Sequence, residues 1–382
     1  MRIGIDATGW ANRRGFGRFT RNAVGRLIEL DPETNYELFT DVPIDAPPTA
    51  TVTHVSLRRA TNDAAAAGSR RSIGDLRRLS RAARTSGVAA MLFPSVYSYF
   101  PAGRVPFVVG IHDTIVHELP ELTLPSSRAR LFWQLKERHA LRYATRIFTV
   151  SLAARTALAE RLSLDLARIA VVPEAPAAVF GPRSRDEIDT ALAPLGIGAG
   201  EPFVLCAAGG VSPHKNIPTL LTAYATLAAP PRLVIAGALE DDPFLSASAE
   251  VRHKIAELGL AARVLLPGFV SDETLAALYA GASVVVNPSL AEGFGLPAVE
   301  AAACGAALLL SDLPAHRETL GDAALFFAPR DAHELAEQLA SLLNNEPARH
   351  EVAAKCTHAV ATLTWDTAAL RLRDLVHEAA NA

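Results

Sequence analysis

The chain has 382 residues, of which 50% are hydrophobic and 20% are charged, and its formal net charge is −3 at pH 7. This composition excludes a largely disordered chain, and the length favours two folded domains. No apolar run approaches the roughly 20 residues of a membrane span, and the start MRIGIDATGW lacks a signal-peptide pattern. We therefore expect a soluble, cytoplasmic protein. Its three cysteines have no metal-ligand spacing and are predicted to be buried free thiols.

The charge is distributed unevenly between the two halves of the chain. Residues 1–183 hold 25 Lys and Arg against 16 Asp and Glu, whereas the remaining residues hold 12 against 24. A basic half joined to an acidic half indicates two domains with different partners. The alternative is that the asymmetry only serves solubility.

Short apolar segments alternate with amphipathic helical segments, which is typical of parallel sheets covered by helices on both faces. This pattern runs twice, so we predict two Rossmann-like, doubly wound α/β domains that face a cleft, with ligands at the carboxyl ends of the strands. In the first half the predicted strands are Arg2–Asp6, Tyr36–Thr40, Thr53–Leu57, Ala90–Phe93, Phe107–Ile111, Ile147–Val150 and Ile169–Val172. In the second half they are Phe203–Ala207, Leu233–Ala236, Val264–Leu266, Val284–Asn287, Ala307–Leu310 and Leu325–Phe327.

The segment between the two halves, Glu174–Glu201, contains three prolines and several glycines and is predicted to be the linker. We place the N-terminal domain at 1–183 and the second domain at 184–363. The last segment, 364–382, is predicted to be largely helical and to pack back across the linker.

The stretch with the most chemical information is 287–305, which reads NPSLAEGFGLPAVEAAACG and begins at the end of a predicted strand. Gly293 and Gly295 allow the backbone to approach a ligand, and the proline that follows suits the first turn of a helix. The free N–H groups of that helix would form an anion site. The carboxylates of Glu292 and Glu300 are suited to sugar hydroxyls. An ordinary capped helix after a glycine turn is the alternative.

This stretch carries a family resemblance, because EGFGLPAVE resembles the E-x7-E motif of glycosyltransferase family four, the group one glycosyltransferases of the GT-B fold. The similarity covers most of Phe203–Leu343, including PGFVSDETLAALYAGASVVVNPS and ACGAALLLSDLPAHRETLGDAALFFAPRD. It continues more weakly in GFGRFTRNAV, VVGIHDTIVHELPE and FTVSLAARTAL. The resemblance implies a GT-B hexosyltransferase that retains anomeric configuration and binds its nucleotide-sugar donor mainly through the second domain.

The same resemblance implies roles for individual residues of the second domain. Glu292 would contact the hydroxyls of the transferred sugar, and Glu300 would hold the ribose diol. The backbone that would cover the sugar and the diphosphate belongs to Gly293, Phe294, Gly295 and Leu296.

A second motif, GGVSPHKN, resembles the family's G-x-x-x-P-R-K-N, so Lys215 corresponds to the lysine that binds the diphosphate. A fixed ammonium would stabilise the charge that develops on the leaving phosphate. The alternative is a surface lysine at the start of a helix. The donor-binding residues implied by this motif are Gly209, His214, Lys215 and Asn216.

The motif departs from the family at Gly210 and at His214, where arginine is common. Either Lys215 suffices, or an arginine of the first domain supplies the missing charge. The candidates are Arg13, Arg14 and Arg18.

In the first half, Gly15 and Gly17 resemble the family's glycine loop, which lines the diphosphate. A dinucleotide fingerprint is the alternative, but its third glycine is missing. His112, in GIHD, corresponds to the family's histidine beside the reacting sugar, with Asp113 as its neighbour. The alternative is a histidine that is satisfied structurally at a strand end.

No metal is expected, because the sequence has no D-x-D motif and the acidic run Glu240–Asp242 has no second ligand cluster nearby. The leaving diphosphate would instead be neutralised by Lys215, by helix N–H groups and by the glycine loop. The resemblance implies a front-face reaction in which His112 and Glu292 orient the sugar. No other cofactor and no nucleic-acid partner is expected.

The leading hypothesis is transfer of a hexose to a glycan or lipid-linked acceptor in the assembly of a surface polysaccharide or glycolipid. GDP-mannose is the favoured donor, because PHKN and HDTIVHELPE look most similar to mannosyltransferases, while UDP- and dTDP-sugars stay open. The alternatives are a transferase acting on a soluble small molecule, a non-catalytic scaffold that binds nucleotide sugar, and an epimerase or phosphorylase of the same fold.

A basic helix is predicted in the first half, over residues 70–84, with its apolar stripe packed on the sheet and its arginines outside. It would let the enzyme bind peripherally to an anionic membrane at the inner face of the plasma membrane, which suits a lipid-linked acceptor. A solvated helix face is the alternative. The stripe consists of Ile73, Leu76, Leu79 and Ala83. The arginines are Arg70, Arg71, Arg77, Arg78, Arg81 and Arg84.

Overall fold

The computed structural model describes residues 1–12, 15–59, 61, 72–124, 126–238 and 246–382. They form two compact units, Met1–Glu174 with Thr364–Ala382, and Ala175–Leu363. The division therefore falls between residues 174 and 175, whereas the sequence placed it after residue 183. The last segment of the chain belongs to the first unit.

The first unit is built on a parallel sheet with the strand order β3-β2-β1-β4-β5-β6-β7. Its strands are β1 (Arg2–Asp6), β2 (Asn35–Thr40), β3 (Thr51–His54), β4 (Ala90–Phe93), β5 (Phe107–Gly110), β6 (Arg146–Thr149) and β7 (Ile169–Val171). Helix α1 (Gly15–Phe19) continues through a π-helical segment (Thr20–Val24) into α2 (Gly25–Leu30). The helices that follow are α3 (Ile73–Thr85), α4 (Ile115–Glu118), α5 (Pro120–Thr123), α6 (Ser127–Tyr143) and α7 (Leu152–Leu162).

The second unit is built on a parallel sheet with the order β10-β9-β8-β11-β12-β13. Its strands are β8 (Phe203–Gly210), β9 (Arg232–Ala238), β10 (Val264–Gly268), β11 (Val284–Asn287), β12 (Leu308–Ser311) and β13 (Leu325–Phe327). Its helices are α8 (Arg185–Leu192), α9 (Ile217–Ala225), α10 (Ser248–Glu257), α11 (Asp272–Gly281), α12 (Leu296–Ala303), α13 (Pro314–Leu320), α14 (Ala332–Asn344) and α15 (Glu346–Val360). The final helix of the chain, α16 (Trp365–Ala380), lies in the first unit.

Every strand predicted from the sequence overlaps an observed strand, and the prediction of two Rossmann-like α/β domains is confirmed. Arg2–Asp6, Ala90–Phe93, Val284–Asn287 and Leu325–Phe327 match to the residue. The agreement has a physical cause, because the central strands are buried on both faces of a parallel sheet and such strands are near-continuous apolar runs.

The predicted linker is wrong in its middle part, because residues 185–192 form helix α8. Ser184 caps this helix with a capping box: its side chain accepts from the Glu187 N–H, and the Glu187 carboxylate accepts from the Ser184 N–H at 2.7 Å. The S-x-x-E pattern was present in the sequence, but the surrounding prolines and glycines favoured a linker. The helix packs against α11 in the second unit.

The C-terminal helix α16 was predicted over Thr364–Ala379, and it begins one residue later because Thr364 is its N-cap. It packs against α2, β4 and β5 of the first unit. Arg26 and Arg146 form ion pairs with Asp366 and Glu378 of the helix. The last helix is thus part of the core of the unit that contains the N-terminus. Its buried residues are Ala368, Ala369, Leu372, Leu375, Val376 and Ala379.

The predicted basic helix corresponds to α3, on which Leu79 and Ala83 are buried as expected. Ile73 was assigned to the same packed stripe, and this is wrong because its side chain is exposed. Arg70 and Arg71 lie outside the described residues. The four arginines on the helix itself, Arg77, Arg78, Arg81 and Arg84, are all exposed, as predicted.

Two further predictions concern the cysteines and the length of apolar helices. Cys206, Cys304 and Cys356 are free and buried, as expected, and burial raises the pKa of each thiol to about 12. Within the described segments, none of the helices has the length and the apolar content that a bilayer span requires.

Candidate functional site

The strand order of the second unit brings two loops together at one edge of its sheet. The order reverses between β8 and β11, which are neighbours although β9 and β10 lie between them in the chain. Ligands of doubly wound sheets bind in the crevice at such a switch point, beyond the carboxyl ends of the strands. The loop after β8 carries Lys215, and the loop after β11 carries Glu292.

Lys215 and Glu292 form an ion pair at this edge, with Lys215 Nζ donating to Glu292 Oε1 at 2.7 Å. The two side chains are only 15% and 9% exposed. Ser289 Oγ lies 2.7 Å from the same Oε1 and 2.6 Å from Asn287 Oδ1, and its one proton can serve only one of them at a time. The motif residues of two separate loops therefore form one hydrogen-bonded cluster.

The Glu292 carboxylate stays ionised in this cluster. Burial would raise its pKa, but the Lys215 ammonium and the Ser289 hydroxyl outweigh burial, and the pKa is about 2. A carboxyl group with so low a pKa cannot act as a general acid near neutral pH. It can accept hydrogen bonds from hydroxyl groups, which is the role that the motif predicts.

The Lys215 motif is fastened to the Glu292 loop through its backbone and its asparagine. The Leu290 N–H donates to the His214 carbonyl at 2.8 Å. Asn216 Nδ2 donates to the carbonyls of Pro288 at 3.0 Å and Pro329 at 2.7 Å. The structure thus uses both amide protons of Asn216 to join loops. Gly209, which opens the motif, lies at the end of β8 with a φ of +65°.

The glycine loop ends where helix α12 begins. Gly295, with a φ of +87°, precedes the helix, and both Phe294 and Leu296 are buried. The N–H groups of Ala298 and Val299 already donate to the Gly295 carbonyl, at 2.9 and 3.2 Å. The first turn of α12 therefore offers fewer N–H groups to an anion than the sequence predicts. The backbone of Gly293–Leu296 lies just before these two N–H groups.

Glu300 lies one turn into α12 and is fully buried. The sequence predicts that its carboxylate holds a ribose. At this depth such a contact requires the surrounding side chains to move, so this role stays a prediction.

His316 is a residue of the site that the sequence did not predict. It lies on α13 and is fully buried. Its Nδ1 is 2.9 Å from the Ser311 carbonyl, which can only accept, so Nδ1 carries a proton. Burial lowers the pKa of the ring, which leaves Nε2 as an acceptor. Nε2 is buried and has no hydrogen-bond partner within the described part of the chain.

The His316 ring packs directly beneath the glycine loop. A Cβ atom built on Gly295 would lie 2.7 Å from His316 Cδ2 and 3.2 Å from its Nε2. The signal available in the sequence was a histidine in the loop-and-helix segment after β12, the next strand beyond β11. Proximity to Gly295 cannot be inferred from that position alone.

In the first unit, His112 follows β5 and is held by the loop that follows β4. Its Nε2 donates to the Pro94 carbonyl at 2.8 Å, and its Nδ1 lies 3.8 Å from Glu174 Oε1. Burial lowers the pKa of His112 to about 4, so the ring is neutral near pH 7. The Phe19 ring packs edge-on at 4.7 Å. The hydrogen bond to Pro94 matches the structural alternative, and the role beside a sugar stays a prediction. Asp113 Oδ1 accepts from the Ile115 N–H at 3.0 Å.

The prediction of a glycine loop in the first unit is wrong. Gly15 and Gly17 lie in helix α1, not in a loop. A Cβ on Gly17 would approach the Asn12 carbonyl oxygen to 2.1 Å, so local packing alone requires glycine there. Arg18 is on the same helix, while Arg13, Arg14 and the acidic run Glu240–Asp242 lie outside the described residues.

Two family models match this chain. Residues 30–175 match the model of Glycosyltransferase Family 4, and residues 192–358 match that of Glycosyl transferases group 1. The two matches together cover most of the chain. The protein belongs to the group 1 glycosyltransferases of family four.

Two relatives of this chain are named mannosyltransferases. The chain is 29% identical over 275 residues to O-antigen chain mannosyltransferase B of Escherichia coli, over 70% of this chain and 69% of that protein. It is 32% identical over 161 residues to the serotype-specific mannosyltransferase WbdA of Escherichia coli, over 41% of this chain. The aligned region is only 19% of WbdA, which is a much longer protein.

Solved structures identify the fold. Sucrose-phosphate synthase from Thermosynechococcus elongatus superimposes with a TM-score of 0.79 at 20% identity, over 99% of this chain and 98% of that one. HepE of Anabaena in complex with UDP and glucose gives a TM-score of 0.74 at 18% identity, over 99% of each chain. The fold is GT-B, as predicted.

Proposed function

We propose that this protein is a retaining mannosyltransferase that uses a nucleotide sugar, GDP-mannose by preference, and needs no metal. Its acceptor would be a glycan or a lipid-linked saccharide in the assembly of a surface polysaccharide. Two relatives are named mannosyltransferases, and one of them is named for the O-antigen chain. A structural neighbour is described in complex with UDP and glucose, which supports a nucleotide-sugar donor.

The observation that carries the proposal is the cluster of Lys215 and Glu292 at the carboxyl edge of β8 and β11. It combines a fixed cation with an ionised acceptor group, and these are what a sugar diphosphate requires. The ammonium would turn toward the diphosphate, while the carboxylate would accept hydrogen bonds from sugar hydroxyls. Glu300 would contribute to ribose binding, and the backbone of the glycine loop would cover the donor.

The proposed reaction breaks the bond between C1 of the sugar and the β-phosphate oxygen. The acceptor oxygen forms its bond to C1 on the same face, and its proton passes to the departing phosphate oxygen. The products are a glycoside with retained configuration and a nucleoside diphosphate. Lys215 would stabilise the negative charge of that leaving group more strongly in the transition state than in the bound donor. The neutral His112 would orient the sugar without exchanging a proton.

The proposal can be tested first by nucleotide binding. In thermal-shift experiments with GDP, UDP and dTDP, we expect the largest stabilisation with GDP. A ligand at 100 times its Kd stabilises the folded protein by roughly 2.7 kcal/mol. Lys215→Met should remove most of the shift. Lys355→Met is the matched control, because Lys355 pairs with Glu351 on the exposed surface of the same unit.

Turnover then distinguishes the enzyme from a scaffold. Hydrolysis of GDP-mannose without acceptor, followed by NMR of the anomeric proton, should show slow release of mannose with initial retention. Nucleotide binding without hydrolysis or transfer would favour the non-catalytic scaffold. A larger thermal shift with UDP or dTDP would reject GDP-mannose as the donor.

A further inference from the structure

Helix α6 has an exposed apolar surface in the first unit. Four of its large apolar side chains are more than half exposed: Leu131 (56%), Phe132 (60%), Leu135 (53%) and Tyr143 (58%). An isolated exposed leucine needs no explanation, but several on one helix commonly mark an interaction surface. We call these four residues the α6 apolar face.

This face lies opposite the side by which α6 packs into its unit. The packed side contains Trp133, Glu137, Ala140 and Leu141. At about 100° per residue, the exposed residues cluster on the other side of the helix. The unit's own sheet therefore cannot cover both sides, and the apolar face remains on the surface.

Basic side chains accompany the apolar face. Arg128, Arg138 and Arg142 are exposed, and the same rotation places them on or beside it. The Arg142 guanidinium is 5.8 Å from the centre of the Tyr143 ring. The one acidic residue of the helix, Glu137, is buried and accepts from His117 Nε2. The outer surface of α6 thus combines apolar and positive groups without a carboxylate of its own.

We propose that α6 docks the protein on the surface of an anionic lipid bilayer. The α6 apolar face would enter the boundary between headgroups and acyl chains, and the three arginines would contact lipid phosphates. This pattern fits a bilayer because an apolar stripe with basic neighbours matches acyl chains beside anionic headgroups. The proposal does not depend on the identity of the sugar donor.

The comparison with α3 explains why the docking surface is assigned to α6. The exposed arginines of α3, including Arg77 and Arg81, provide charge. Among the residues of α3, Ile73 is the one large apolar side chain that is exposed. Attraction between basic side chains and an anionic membrane is screened by salt. The α6 apolar face would add hydrophobic binding to the membrane that persists in salt.

Co-sedimentation of the full chain with vesicles tests the proposal. Vesicles of phosphatidylcholine with about one third phosphatidylglycerol should pellet the protein, and pure phosphatidylcholine should not. A surface contribution of about 1 kcal/mol for each arginine corresponds to about a fivefold change in partitioning. Arg128→Gln with Arg138→Gln and Arg142→Gln should therefore weaken binding by roughly a hundredfold.

A second variant removes apolar surface without changing charge. Leu131→Ser with Phe132→Ser and Leu135→Ser should abolish sedimentation at moderate salt. The matched control, Arg77→Gln with Arg81→Gln and Arg84→Gln, removes the same charge from α3 and should retain binding. Circular dichroism and thermal melting establish that each variant is folded. Loss of binding only in the α3 control would overturn the proposal and assign the surface to α3.

A depth probe identifies the inserted segment directly. The three native cysteines are buried, so Phe132→Cys would present a single accessible thiol for an environment-sensitive fluorophore. Its emission should shift to the blue with anionic vesicles, and a label at Arg81→Cys should shift much less. An unchanged spectrum at position 132 while the protein sediments would contradict insertion of α6.

A second copy of the chain is the competing occupant of this face. Sedimentation velocity without vesicles decides between them: a wild-type dimer that the serine variant converts to a monomer would reject the bilayer. A wild-type protein that stays in the supernatant with anionic vesicles at low salt would reject it too. The vesicle assays use neither donor nor acceptor, so their failure leaves the transferase proposal standing.

Discussion

Lys215 and Glu292 are 77 residues apart in sequence, yet they share one buried cluster. A buried ion pair adds little net stability by itself, but removing one partner leaves an uncompensated charge. The pair therefore links the stability of the site to its chemistry, and the two effects can be separated by mutation.

We expect Lys215→Met and Glu292→Gln each to lower turnover at least roughly a hundredfold, the scale of one lost transition-state contact. Each single variant should also destabilise the second unit, by on the order of 3 kcal/mol. The double variant should recover much of that stability but none of the activity. Urea denaturation and GDP-mannose turnover measure the two effects. A folded single variant with near-normal turnover would reject the site.

Gly295 is the position where backbone conformation and packing both demand glycine. Gly295→Ala would bring a Cβ within 2.7 Å of His316 Cδ2, at a φ of +87° that alanine adopts with strain. We expect weaker nucleotide binding and a lower melting temperature. Adding His316→Ala should restore only part of the loss, because it relieves the contact but not the strain. Full restoration by the double variant would show that the contact alone matters.

His112 should make the stability of the first unit depend on pH. Its pKa is about 4 in the folded protein, against an ordinary histidine pKa of 6.5, so between these pH values the unfolded chain binds more protons. Stability therefore falls as pH decreases from 6.5 to 4, by up to about 3 kcal/mol from this group. His112→Gln should flatten this part of the curve in denaturation at several pH values. His54→Gln, at an exposed site of the same unit, is the control for loss of a histidine. An unchanged slope in His112→Gln would contradict the depressed pKa.

At the scale of elements, α16 shows how the end of the chain stabilises its beginning. Leu372 is fully buried in the first unit, whereas Leu370 on the same helix is exposed. Leu372→Ala should cost about 2–5 kcal/mol of unfolding free energy, because it removes buried apolar surface and leaves a cavity. Leu370→Ala should cost much less. Equal costs in thermal or urea denaturation would mean that the helix does not pack as described.

Helices were harder to predict than strands, and α8 shows the reason. Its eight residues lie between prolines and glycines, so composition favoured a linker, while the local capping box determined a helix. Helix α6 was also inconspicuous in sequence, because it is apolar on both its packed and its exposed sides. A one-sided pattern such as that of α3 is easier to recognise.

At the scale of the whole molecule, the proposed chemistry needs no metal, because Lys215 supplies the positive charge at the leaving group. We therefore expect transferase activity to persist in EDTA. The rate should change by less than about twofold, because the chelator would remove no contact to the donor. Activity assays before and after dialysis against chelator measure this. Complete loss that Mg²⁺ or Mn²⁺ restores would point to a metal-bridged diphosphate.

The sequence by itself determined the two-domain α/β architecture, the approximate position of each described strand, the motif loops of the second unit and the family. These features follow from apolar runs, from turn residues and from local motifs, which depend on neighbours in the chain. It also placed Lys215 and Glu292 in loops that begin at carboxyl ends of strands. Their pairing, however, required the strand order that makes β8 and β11 neighbours.

Only the tertiary structure decided the contacts between segments that are distant in sequence. It placed His316 against Gly295, fixed the tautomer of His112 through Pro94, and put Gly15 and Gly17 in a helix. It also decided which side of α6 faces solvent and left Ile73 of α3 exposed. The physical reason is that burial, hydrogen-bond partners and pKa depend on which segments pack together, and a single segment does not contain that information.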